Sequence, residues 1–185
     1  MAHQTPDPVL TAVTAAATRA TGAAVGLLLR AEGRVLRVVA TAGAVPPDVL
    51  GEPISIGDGV AGYVVAAGQP LVLSAGSADP RLGEGTASLL GTNPSSVLAV
   101  PVQGDEHVLG VIELLDAIDG TFGVDDTEQA TLHAGVAAAA LADERLAGMR
   151  DVPDPAELAA ELRRLAAADP SRYATVATIL QSLVR

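Results

Sequence analysis

Two pairs of short apolar segments, each closed by a tight turn, limit the folds open to this chain more than any other feature. AAVGLLLR (23–30) is nearly continuous in its apolar character, as a central strand buried on both faces should be. RVLRVVAT (34–41) alternates more, with Arg34 and Arg37 breaking the run, and the AEG between them offers a glycine for positive φ. SSVLAVPV (95–102) and HVLGVIELLD (107–116) repeat the pattern, joined by QGDE with Gly104 as the turn residue. Pro101 cannot donate to a ladder, so it should lie at a strand end or on an edge. These are hairpins. Antiparallel pairing follows from turns this short, because a parallel pair needs a long crossover.

Helical periodicity sits at the two ends. PDPVLTAVTAAATRAT (6–21) enters through a proline pair, with Leu10, Val13 and Ala17 at helical spacing. VDDTEQATLHAGVAAAALADERLAGMR (124–150) reads as a long helix. Asp125 is placed at its N-cap, with Glu128 at capping-box spacing, a seam of Leu132, Val136, Ala139 and Ala140, and Pro153 as its stop. Two further helices follow. Asp154 and Pro155 start the first, which carries Leu158, Leu162 and Leu165 on one face. The second aligns Tyr173, Val176, Leu180 and Leu183, with Ile179 beside them. The expected organisation is an α+β domain over 1–150 and a C-terminal helical extension over 151–185. Between the hairpins lie a proline-rich connection (44–53), ISI, GDGVAGYVVAAGQP and the short strand LVLS (71–74). A glycine- and serine-rich segment (74–94) follows, with room for a short helix around 80–90.

GDGVAG (57–62) matches the G-x-G-x-x-G fingerprint of dinucleotide sites, and Asp79 follows about twenty residues later. A dinucleotide site needs a buried strand, a glycine turn, a helix of ten or more residues and a parallel strand ending at an acid. Here the preceding strand is only ISI, and Gly68 and Pro70 end the helix. LVLS stops at Ser74, short of Asp79. Asp58 should cap the helix and repel a second anion there. The context excludes the match.

The 185 residues carry a formal charge of −11, no lysine, no cysteine and 2% aromatics. Nucleic-acid binding needs a basic surface, which is missing. Without cysteine there are no disulfides, thiolate metal sites or cysteine nucleophiles. No basic start followed by an apolar run marks a secretory signal, and LHAGVAAAALA (132–142) is too short to span a bilayer, so a cytoplasmic protein without membrane contact is expected. Ser74, Ser77, Ser88, Ser95 and Ser96 stand in no G-x-S-x-G elbow, so no catalytic residue is assigned and the chain is expected not to be an enzyme. DAIDGTFGVDDT (116–127) fails as a calcium loop at Ile118, and no H-E-x-x-H occurs, so no metal and no cofactor are expected.

ISIGDGVAGYVVAAGQPLVLS, then ADPR (78–81), the PSSVLAVPV and HVLGVIELLD strands and the FGVDDTE helix start resemble GAF domains, in the same order, over about residues 9–148. The resemblance implies a central antiparallel sheet, with helices from both chain ends on one face and a loop-covered pocket on the other. It also implies a regulatory, ligand-sensing role in signal transduction. Bilin-carrying members and the free methionine sulfoxide reductases of this fold work through cysteines, which this chain lacks. Cyclic-nucleotide-binding members carry Asn-Lys … Phe-x-x-x-Asp-Glu. The matching positions here hold Asp116, Ala117, Phe122, Asp126 and Thr127, so only Phe122 and Asp126 remain. Haem-binding members use a histidine. His3 falls in a terminus, His107 follows a turn, and His133 faces solvent or a partner subunit on the long helix.

The pocket candidates are Tyr63, Asp79, Arg81, Ser96 and Glu113. Arg81 either pairs with an anionic ligand group or covers a surface carboxylate, with Asp79 capping a short helix that Pro80 starts. Tyr63 is a stacking platform or core filler. One of Ser95 and Ser96 must face the pocket, because strand faces alternate. Glu113 is an acid on an otherwise apolar strand. Facing inward it needs a partner such as Arg81 or a ligand cation; facing outward it is merely solvated. Two functions compete: a homodimeric sensor of an unknown small molecule, and an adaptor that recruits a protein through its C-terminal helices. Small-residue seams on the first and long helices would pair in a four-helix bundle.

Overall fold

The structure, a computed structural model, describes residues 7–74, 79–150 and 154–183, except for the side chains of 145–150 and 183. His3, Pro6, Ser77, Pro153 and the Leu183 side chain lie outside the described residues. The chain forms two compact units, Met1–Glu144 and Arg145–Arg185.

The first unit is built on a six-stranded sheet of β1 (Ala23–Glu32), β2 (Val35–Gly43), β3 (Pro53–Ser55), β4 (Leu71–Ser74), β5 (Ser96–Gln103) and β6 (Val108–Ala117). Their order is β3-β2-β1-β6-β5-β4, and every neighbouring pair is antiparallel. The two hairpins expected from the sequence are therefore present. They meet at their inner strands, where Leu27 lies opposite Glu113 and Leu28 opposite Ile112. β4 ends at Leu71, opposite Ala99, so no strand faces Pro101 on that side and its missing N–H leaves no gap in the ladder.

Alternation divides the sheet into two apolar faces, which explains why the central strands read as unbroken apolar runs. On one face Leu28, Leu98, Val100, Ile112 and Leu114 pack with α1 (Pro8–Ala20) and α4 (Val124–Arg150). On the other, Leu27, Leu29, Val97, Ala99, Val111 and Leu115 form a second cluster with Val60, Ala61 and Val64 of α2 (Gly59–Ala67). α1 buries Leu10, Val13 and Ala17 as its spacing predicts. Its Asp7 carboxylate accepts from the N–H groups of Val9 and Leu10 at 2.7 and 2.9 Å, satisfying two orphan donors. Thr14, Thr18 and Thr21 are buried beneath it, and each hydroxyl donates to the carbonyl four residues back.

The long helix corrects two expectations. It begins at Val124, ahead of Asp125, because the Asp126 carboxylate reaches back to accept from the Gly123 N–H at 2.7 Å. Asp126 thus supplies the return bond of the capping box, and Glu128, two residues further on, is exposed. Its docking face is Ala130, Ala134, Ala137 and Leu141, whereas Leu132 and Val136 are 67% and 53% exposed. Alanines let the helix approach the sheet closely. The larger apolar pair is left outside.

In the second unit Asp154 caps α5 (Pro155–Ala168), accepting from Ala156 N–H at 2.7 Å. α5 packs on α6 (Pro170–Leu183), yet none of the described residues of this unit is buried. Leu158, Tyr173, Ile179 and Leu180 remain 38–54% exposed.

Close packing of α1 on the sheet rests on Gly26, where an added Cβ would stand 2.0 Å from the Thr18 hydroxyl oxygen and 3.3 Å from Leu114. Thr18 is locked by its bond to the Thr14 carbonyl, so it cannot yield. Gly26→Ala is expected to cost about 1–3 kcal/mol. Gly135→Ala, in open space on α4, should instead stabilise by about 0.5–1 kcal/mol. Urea unfolding midpoints of the two variants check both signs.

Candidate functional site

The glycines that imitate a nucleotide fingerprint serve the packing of α2. Gly57 has φ 104°, a turn conformation that side chains disfavour. A Cβ on Gly59 would stand 2.7 Å from the Glu84 carbonyl oxygen, and one on Gly62 would stand 2.6 Å from the Gly57 nitrogen. These contacts fold the turn onto itself and press the start of α2 against the segment 79–91. No strand of the sheet is parallel to its neighbour, so the chain builds no crossover unit around this turn. One expectation changes: Asp58 is at the N-cap of α2, but its carboxylate makes no capping hydrogen bond.

The carboxylate that does reach this helix end comes from β6. Glu113 points inward, on the face of Leu27 and Ala99, and is 1% exposed. It accepts a hydrogen bond from the Ala61 backbone N–H in the first turn of α2, and another from the Thr86 hydroxyl. Thr86 opens the short helix α3 (Thr86–Leu90) and is itself 2% exposed. Burial among apolar side chains pushes the Glu113 carboxyl up to about 7; the two donors, which lower it, offset only part of that cost. Arg81, the partner expected from sequence, is engaged elsewhere.

Asp79, Arg81 and Tyr63 do come together, outside the core. Asp79 caps a 3-10 turn over Pro80–Gly83, accepting from the Arg81 N–H at 3.0 Å. Its carboxylate also holds the Arg81 guanidinium through contacts of 2.9 and 2.5 Å. The side-chain bond to Arg81 lowers the Asp79 carboxyl to about 2, and the same bond raises Arg81 further above its ordinary range. The guanidinium lies 4.3 Å from the centre of the Tyr63 ring, a cation–π contact with a ring that is 44% exposed. Arg81 therefore covers a surface carboxylate, and Tyr63 is its platform instead of core filler.

Ser96 is fully buried but shares its side of β5 with Leu98 and Val100, the face covered by α1 and α4. Its hydroxyl oxygen accepts from the Ala117 N–H at 2.9 Å and pins the sheet end. Ser95 is exposed and binds the Asp116 carboxylate through its N–H and hydroxyl, at 2.6 and 2.9 Å. Asp116 adopts φ 57°, left-handed backbone that this clasp holds in place. His133 bonds the Gln129 carbonyl of its own helix at 2.7 Å. Among the described residues no group of three His, Cys, Asp or Glu side chains could hold a metal ion, and no helix is long and apolar enough to cross a membrane.

Thr86 and the Ala61 N–H are the members of this site that the sequence does not announce. Thr86 sits in a glycine-rich loop, and its partner is 27 residues away.

The antiparallel order, the terminal helices on one face and the covered second face agree with a family-model match to the GAF domain over residues 3–142. The chain belongs to the GAF family. Among solved structures, the second GAF domain of DevS from Mycobacterium smegmatis is 26% identical, with a TM-score of 0.58, covering 77% of this chain and 94% of that one. The GAF domain of a phosphoenolpyruvate-protein phosphotransferase from Acinetobacter has a TM-score of 0.65 at 17% identity, covering 75% and 83%. A free methionine-R-sulfoxide reductase from Neisseria meningitidis, in complex with its substrate, has a TM-score of 0.60 at 19% identity, covering 75% and 78%. A comparison with curated proteins returned no match.

Glu113 gives this GAF domain a signed dependence on pH. Its carboxyl keeps its proton up to about 7 in the folded state, against an ordinary value of 4.5. Between those values the folded state binds more protons than the unfolded, so stability falls as pH rises and is flat above. The loss should be about 3 kcal/mol. Glu113→Gln should remove that part of the slope, as read by urea titrations from pH 4 to 8; equal slopes in both proteins would contradict this placement of the proton.

Proposed function

We propose that this GAF domain is a non-enzymatic regulatory module that responds to a small molecule and acts as a homodimer. The observation that carries this reading is the covered second face of the sheet. A buried acid, Glu113, lies there among apolar side chains, beneath a segment joined to it by one threonine. An apolar surface with a few placed polar groups is what small-ligand sites use. Catalysis is disfavoured by chemistry. Two of the similar structures are free methionine-R-sulfoxide reductases, but this chain has no cysteine to act as they would be expected to. The Asp79–Arg81–Tyr63 cluster contributes at the rim, where an anionic ligand group would have to displace Asp79 from Arg81.

The homodimer is supported by α4. Leu132 and Val136 lie one turn apart on its exposed side, and a pair of such helices would bury them. The net charge of −11 speaks against nucleic acid as a partner. An adaptor role is favoured by one separate observation, the exposed stripe of Leu158, Tyr173, Ile179 and Leu180 on α5 and α6. Such a stripe suits an apolar groove on another protein.

Ligand binding is tested by the melting temperature against a metabolite and nucleotide panel. A ligand present at 100 times its Kd should add about 2.7 kcal/mol and raise the melting point by several degrees. A panel without effect, with a filled cavity in the crystal, would sink the sensor reading and leave the adaptor. For the dimer, Leu132→Glu is expected to give a monomer by light scattering at micromolar concentration, with the melting point changed only modestly. A variant that stays dimeric would move the interface off α4.

A further inference from the structure

The segment 79–91 lies over the second face of the sheet, and its α3 stretch, residues 86–90, is bounded by a glycine at each end. Its apolar side is Ala87, buried, with Leu82, Leu89 and Leu90 partly buried against the cluster below. Its helix α3 is only five residues long and is bounded by Gly85 at φ 61° and Gly91 at φ 62°. Both bounding residues hold backbone conformations open chiefly to glycine, where a change of φ and ψ costs least. Against α2 this segment touches by close backbone approach, Gly85 against the Asp58 carbonyl and Gly59 against that of Glu84. Its side-chain hydrogen bond to the sheet comes from Thr86, and the acceptor is Glu113.

We propose that Glu113 is a latch that holds a lid, residues 86–90, over the sheet through Thr86, and that loss of the Glu113 proton lets this lid swing out about Gly85 and Gly91. A neutral carboxyl in this place accepts from the Ala61 N–H, can share its own hydrogen with the Thr86 hydroxyl oxygen, and brings no charge to desolvate. An ionised one has the same two donors and no cation.

Every element packed around Glu113 bears this out. On β1 its neighbours Leu27 and Leu29 are apolar, whereas Arg30 is on the other face, bonded to Glu32 and to Glu144 of α4. On β5 Val97 and Ala99 face it. On β6 its own face holds Val111 and Leu115. α2 carries Tyr63, turned out to Arg81, and α3 carries no ionisable group. Asp58 and Glu84, at the approach of lid and α2, are acidic and exposed. An anion at Glu113 thus gains stability by reaching water, and the lid is what separates it from water.

The device needs no ligand, so its test is independent of the sensor reading. Hydrogen–deuterium exchange of the full chain from pH 5 to pH 8, corrected for the intrinsic chemical rate, reads the opening of residues 86–90. With the carboxyl at about 7 under the lid and 4.5 when released, protection of the lid should fall on the order of 50-fold across that range. The strand 96–103, which exchanges through global unfolding, loses protection as stability falls with pH but should stay the more protected of the two at every pH. Glu113→Gln, which still accepts from Thr86, should hold the lid closed throughout. Thr86→Val should open it even at pH 5. Lid protection that is flat with pH in the unaltered protein overturns the proposal. So does a Glu113→Gln variant that opens with pH as the parent does, or a lid no less protected than 96–103 at every pH, which would mean that it opens only with global unfolding.

Discussion

The pairing of β1 with β6 joins two hairpins from opposite halves of the domain into one sheet, and it sets which side chains can meet. Because side chains alternate along a strand, one register decides both faces together. Leu28 and Ile112 go to the side of α1 and α4, while Leu27 and Glu113 go to the other. A slip of a single residue would place Glu113 among the alanines of α4 and expose the second cluster to the wrong cover. The acid on β6 therefore depends on a long-range contact, and the covered face depends on the acid's position.

That constraint also explains the glycines of 57–62. The sheet's second face must be covered by backbone that comes close to it, and α2 does so through a turn in which Gly57 and Gly62 nearly touch. The same small residues that would admit a pyrophosphate in a parallel sheet here admit the carbonyl of Glu84. The hydrogen-bond acceptor at the start of α2 is the protein's own, the Glu113 carboxyl bonded to the Ala61 N–H. Helix N-termini attract negative charge whatever its source, so the fingerprint marks a geometry that several ligands, internal or external, can use.

Strand pairs, turn positions and the starts of α1 and α5 were legible because they are set locally, by proline, by capping acids and by alternation. The face of α4 was misjudged for a physical reason. Leu132 and Val136 are its larger apolar residues, but close approach to the sheet selects small ones, and Ala130, Ala134 and Ala137 took the buried side. The start of α4 moved for a local reason, since the Asp126 carboxylate accepts from the Gly123 N–H and so sets the cap just before Val124. Asp79 and Arg81 could be read together because they are neighbours in sequence, whereas nothing local joined Tyr63 to them. Ser96 could not be told from Ser95, because one residue of strand phase sends a side chain to the opposite face. Thr86 was out of reach, since nothing close to it in sequence says that a hydroxyl there will meet a carboxyl on β6.

An apolar residue at position 113 would fill the same space and spare the domain the cost of burying an acid, a cost visible in how far its carboxyl is raised. Packing alone therefore does not account for Glu113. What an acid adds is one group that reaches two covering elements, α2 through Ala61 and α3 through Thr86, and whose ionised form gains by reaching water. Leucine would hold both elements by contact area, without direction and without a second state. A carboxyl ties them to one point on the sheet and can let go, a difference that matters only if the cover is meant to open.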